Sequence, residues 1–194
     1  MITVKVDGQP FPADISQLRT MGELIELVKA TIDPETIVVS LLIDGKILSE
    51  EDWRVPLNAR GVSVLEIGTG KQDAYLLERL RIADSYVTKI LEEFNVAGNN
   101  YSAGAVNNAN HQLVTAVGDL HAFIGWYVTL LGMDPARFAA RRPEFDQTIA
   151  QLKIICDQLL QQQMFHLWPA LGDTLRSQLG PQLEKLRSFC SSVL

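Results

Sequence analysis

Ile2, Val4 and Val6 alternate with Thr3, Lys5 and Asp7, a period of two that predicts a half-buried strand. Asp7-Gly8 supplies a tight turn, because glycine tolerates positive φ and aspartate bonds its own backbone. Phe11, Ala13 and Ile15 resume the alternation and predict the second arm of a hairpin. Pro10 and Pro12 each remove a ladder donor, which places that arm at a sheet edge. Thr20 and Glu23 have capping-box spacing, and Leu24, Leu27, Val28 and Ile32 follow at helical intervals until Asp33-Pro34 ends the helix. Residues 36–43 are rich in β-branched side chains and lead into Asp44-Gly45, a second hairpin signal, with Ile47 and Leu48 returning. After a polar loop holding Trp53, Val62 to Ile67 predicts a last strand.

From Lys71 onward the period becomes helical. Leu76, Leu80, Ala83, Val87, Ile90 and Phe94 form one stripe, and Gly98-Asn99-Asn100 is expected to stop it. Val106, Asn110, Leu113, Val117, Leu120, Ile124, Tyr127 and Leu131 then alternate spacings of four and three, the seam of a helix packed in a bundle. Asn110 is its one strongly polar member, a type of residue that fixes register. Phe123, Trp126 and Val128 lie off this seam and make the helix apolar on more than one side, which predicts a homodimer through the helical half. Asp134-Pro135 caps a new helix, and Pro143 restarts one carrying Phe145, Ile149, Leu152, Cys156 and Leu159. Beyond a bend at Trp168-Pro169 come Leu171, Leu175, Leu179, Leu183, Leu186 and Cys190, with a kink expected at Gly180-Pro181. Short connections favour antiparallel neighbours, so residues 71–194 are expected to form an up-and-down four-helix bundle.

The order strand–strand–helix–strand–strand–strand in residues 1–70 is that of a β-grasp domain, and the fold class is α+β. Leu41-Leu42-Ile43-Asp44-Gly45-Lys46-Ile47-Leu48, with Gly61-Val62-Ser63-Val64-Leu65-Glu66-Ile67, resembles the ubiquitin-like family. The resemblance covers about a third of the chain and implies a fold rather than an activity. It maps the family's binding surface onto Leu42, with Leu65 as a neighbour. Conjugated members end in Gly-Gly; here Gly68-Thr69-Gly70-Lys71 stands at that place with a further 123 residues after it. A modifier role is therefore not expected, and the glycines read as a linker.

Composition narrows the function. The chain has 194 residues, 47% hydrophobic and 21% charged, which excludes disordered and collagen-like classes. With 17 basic and 23 acidic residues the formal net charge is −6, against a nucleic-acid binder held by a general basic field. The acidic excess is concentrated in residues 1–70, with 6 basic and 11 acidic side chains. No continuous apolar run reaches the length of a membrane span, and MITVKVDG lacks the pattern of a secretory leader. Cys156 and Cys190 have no ligand or disulfide pattern around them, so a cytoplasmic location is expected. Asn100-Tyr101-Ser102 matches a glycosylation sequon, read as accidental in that setting.

Candidate chemistry is sparse. His111, His121 and His166 have no metal-ligand spacing, no G-x-S-x-G occurs, and Gly68-Thr69-Gly70-Lys71 lacks the rest of a phosphate loop. No cofactor or metal is expected. Arg137, Arg141 and Arg142 are the one concentrated basic feature, spaced to share a helix face and grip an acidic partner. The resulting reading is a non-enzymatic adaptor, assembly factor or scaffold that binds a protein partner through Leu42, Leu65, Trp126 and the three arginines. The alternative is an enzyme or small-ligand binder with a site between bundle helices, around Asn107, Asn108, His111 and Trp126.

Overall fold

The structure, a computed structural model, describes residues 2–48, 53, 55–59, 61 and 63–193, which form two compact units, Met1–Tyr75 and Leu76–Leu194. In the first, β1 (Ile2–Val6), β2 (Gln9–Pro10), α1 (Met21–Thr31), β3 (Thr36–Ile43), β4 (Lys46–Ile47), a 3₁₀ turn (Leu57–Ala59) and β5 (Ser63–Lys71) follow one another. The sheet order is β2-β1-β5-β3-β4, with β1 parallel to β5 and every other pair antiparallel. Both hairpin turns carry an aspartate at φ 49° followed by a positive-φ glycine, the geometry that suits the strands' right-handed twist. Each aspartate also clips the central strand. Asp7 accepts from the Thr69 N–H (2.8 Å) and hydroxyl (2.6 Å), and Asp44 accepts from the Val64 N–H (2.8 Å). The capping box opens α1: the Glu23 N–H donates to the Thr20 hydroxyl, and the Glu23 carboxylate accepts from the Thr20 N–H. Met21, Leu24, Ile25 and Val28 then bury against Ile2, Val4, Leu65 and Ile67.

Two expectations fail in this unit. The second arm is only Gln9–Pro10, because Pro12 supplies no donor to extend it. Gly68-Thr69-Gly70-Lys71 is not a linker but the end of β5, with Gly70 opposite Ile37 and Lys71 opposite Thr36. The reason is a register irregularity between Val38 and Ser40, which brings β3 side chains over both glycines. A Cβ on Gly70 would lie 3.3 Å from Val39, and one on Gly68 would collide with the Ser40 hydroxyl. Val62 and most of the loop around Trp53 lie outside the described residues.

Helix α2 (Gln72–Ser102) begins in the last residues of the first unit and runs on into the second, which also contains α3 (Val106–Met133), α4 (Pro135–Phe138), α5 (Arg142–Met164), α6 (Trp168–Thr174), a π turn (Leu175–Leu179) and α7 (Gly180–Ser192). Lys89 meets Asp119 and Asn100 meets Gln112, so α2 and α3 run antiparallel. Tyr127 packs on Phe145 and Asn110 bonds Gln163, making α3 and α5 antiparallel; Phe145–Phe189 and Gln158–Thr174 do the same for α5 and α6–α7. Asp84–Ser191 and Ser102–Arg176 close the ring. The result is an up-and-down bundle of four long helical segments.

Glycine at 98 does not stop α2. Its carbonyl oxygen would lie 3.2 Å from a Cβ on Gly172, so two bare backbones meet here, and the stop comes later at Gly104, φ 75°. The seam of α3 is also phased differently from the apolar pattern: Ala109, Leu113, Ala116, Leu120, Phe123, Tyr127 and Leu130 are buried, while Val117 is 40% exposed. Phe123 therefore belongs to the core instead of lying off it. By length and mean hydropathy α3 is long and apolar enough to cross a membrane, although no continuous apolar run of that length lies in it; its buried line is spent inside the bundle. Leu171, Leu175, Leu179, Leu183, Leu186 and Cys190 are all fully buried. Three successive steps of four drift around an ordinary helix, and the wider π turn takes up that drift where Pro181 lacks a donor for the previous turn.

Candidate functional site

Tyr86, Lys89 and Ile90 of α2 face Asp119, Ala122, Phe123 and Trp126 of α3 across a surface cleft of about 360 Å³. The two helices bring them together because each repeats every three or four residues on the flank beside its buried stripe. Tyr86 meets Trp126 edge-on at 5.5 Å between ring centres, and Trp126 leans on Phe123 at 5.8 Å. Tyr86 is 49% exposed, so an aromatic wall faces solvent. A second cleft of about 410 Å³ continues the groove past Lys89 to Glu92, Glu93, Val96, Gln112 and Thr115.

Several polar groups of this groove are already engaged, while one carboxylate oxygen of Glu93 is buried without a partner. The Lys89 ammonium reaches Asp119 (3.0 Å) and Glu93 (3.2 Å), and these two hydrogen bonds raise its pKa. Gln112 accepts from Asn100 (2.6 Å), and the Thr115 hydroxyl donates to the His111 carbonyl (3.2 Å). Asn100 of the sequon is thus engaged across to α3.

The other anticipated residues are scattered. Asn107, Asn108 and His111 are exposed near the start of α3, and Trp126 is at least fifteen residues further on, about 22 Å at the helical rise. They do not converge on one site. His121 is exposed, and among the described residues no three His, Cys, Asp or Glu side chains gather as metal ligands. Burial pushes the Cys156 thiol up and the Cys190 thiol up to about 12, so neither is activated. Burial likewise raises Tyr127, whose hydroxyl lies beside Cys190.

The three arginines do not share a helix face, because the chain breaks between α4 and α5. Arg137 sits on the short α4 over the Phe138 ring. Arg141 is used internally: it donates to the Ser192 carbonyl (2.9 Å) and hydroxyl, pairs with Glu144 (3.0 Å) and covers Phe189. Arg142 pairs with Asp146 at 2.8 Å. In the sheet, Leu65 is fully buried on the helix-covered face and does not neighbour Leu42. Residues opposite in register share a face, and those beside Leu42 are Ile47, 83% exposed, and Glu66. Period two is sufficient to separate Leu65 from Leu42, since it places 65 with the inward 67.

The apolar pattern does not disclose Tyr86 or Val96, which are exposed, or a further groove between α3 and α5 of about 340 Å³ lined by Val114, Val117, Cys156 and Leu160. No protein-family model, curated protein or solved structure matches the chain.

Proposed function

We propose that the chain is a non-enzymatic interaction module, an adaptor or assembly factor, that binds a protein through the α2/α3 groove. The observation that carries this reading is the solvent-facing Tyr86–Trp126 wall in an apolar groove whose one lysine is already held by Asp119 and Glu93. Aromatic anchors in an apolar cleft with a polar rim are what a protein interface needs. The N-terminal unit is on this reading a ubiquitin-like β-grasp domain, supported by the order β2-β1-β5-β3-β4, and it offers Leu42 and Ile47 as a second surface. Two free cysteines fit a reducing cytoplasm. Val114 and Leu160, 68% and 57% exposed along the α3/α5 groove, support self-association of the helical half into a homodimer.

The test is capture from the native cell followed by mass spectrometry, with Ala122→Glu on the groove and Gln151→Glu away from it. A partner retained by wild type and Gln151→Glu but lost by Ala122→Glu is expected. Capture indifferent to Ala122→Glu contradicts the reading.

A further inference from the structure

Resting on the protein-binding reading of the α2/α3 groove, we infer that its occupant is an amphipathic helix with basic residues beside its apolar face. Two apolar clefts lie in line and share Lys89: one at Tyr86, Ala122 and Trp126, the other at Val96, Gln112 and Thr115. Thr115 and Ala122 are seven residues apart, about 10 Å along α3. Two side chains at i and i+7 of a docking helix have that same separation, so one helix fills both clefts.

Main-chain hydrogen bonding selects a helix over an extended peptide. Among the side chains, Gln112 accepts from Asn100, Thr115 donates to the His111 carbonyl, and Lys89 bonds Asp119 and Glu93. Both walls of the groove are helices whose mid-helix main-chain groups are already paired, so an extended chain would find no strand edge to bond to, and each amide left unpaired on burial is costly. A helix satisfies its own backbone and needs from the groove only apolar contact and charge. The charge is acidic: Glu92, Glu93 and Asp119 stand against Lys89, a local net of −2, and Glu92 has no ion pair among the described residues. Lysine or arginine flanking the apolar anchors answers it, steering approach and fixing orientation.

The probes are three synthetic helical peptides of about five turns, titrated calorimetrically into the full chain. The first has leucines at i and i+7 flanked by lysines; the second has glutamates in place of the lysines; the third keeps the lysines and replaces the leucines by serines. The first is expected to bind at least about tenfold more tightly than either other, and to lose about tenfold with Val96→Glu or with Glu92→Lys, both exposed positions. Gln151→Glu is expected to leave it unchanged. Equal binding of the serine peptide would reduce the effect to general attraction to an acidic protein and overturn the inference, as would binding indifferent to Val96→Glu. Self-association abolished by Val96→Glu would make a second copy the occupant and overturn it too. If no peptide binds while cellular capture still depends on Ala122, the interaction reading stands and this inference falls; if capture is also indifferent, both fall.

Discussion

At the scale of single residues, Leu120 is buried on the α3 seam, and truncation to alanine removes its contacts and leaves a cavity. Leu120→Ala is expected to cost about 2–5 kcal/mol in chemical denaturation, and Val117→Ala, nearly a turn away and partly exposed, well under about 1 kcal/mol. Equal costs would restore the phase read from the apolar pattern. Asp7 gives a pH signature. Its hydrogen bonds from Thr69 hold its carboxyl below the ordinary 3.8, so the folded state favours the ionised form. That contribution is present above pH 3.8 and is lost as pH falls through the lower folded value. Wild type is therefore expected to exceed Asp7→Asn in stability near neutral pH, with the gap closing in acid; a gap that widens in acid would contradict the assignment.

At the scale of elements, turns and caps are legible in the sequence and close approaches are not. Asp7-Gly8, Asp44-Gly45, Thr20 with Glu23, and Asp134-Pro135 act through neighbours in sequence, and each does what its residue types dictate. Gly98, Gly68 and Gly70 read as a helix stop and a linker because their roles come from remote backbone and side chains that no local pattern contains. The α3 seam is misphased in the sequence for a related reason. Ala109 and Ala116 are its small members, and a search for large apolar side chains passes over them in favour of Val117. The candidate groove is half visible: Trp126 stands out, whereas Tyr86 shares no motif with it and joins it only through the pairing of α2 with α3. Substitution separates the kinds of glycine. Gly172→Ala puts a Cβ 3.2 Å from the Gly98 carbonyl and from Tyr101, and is expected to destabilise by about 1–3 kcal/mol. Gly118→Ala meets nothing within 4 Å in mid-helix and is expected to stabilise by about 0.5–1 kcal/mol. Thermal melts of the two variants shifting in the same direction would contradict the close crossing.

At the scale of the whole molecule, the chain is two compact units, the first with its own core of α1 against the sheet and the second with the bundle interior. A fragment of residues 1–75 is expected to give a mixed α/β circular dichroism spectrum and its own cooperative unfolding; a random-coil spectrum would show that the sheet depends on the bundle. Sedimentation of the full chain is expected to report twice 21.5 kDa at micromolar concentration, and Val114→Glu to restore the single mass. A single mass throughout would remove the homodimer and leave the α2/α3 groove as the binding surface. The proposed interaction centres on that groove, and a photo-crosslinking amino acid placed at Tyr86 in the native cell, compared with the same group at Gln151, tests it most directly. A discrete protein adduct from position 86, and none of the same mass from position 151, is expected. No adduct at 86, or identical adducts from both positions, would contradict protein binding at the groove.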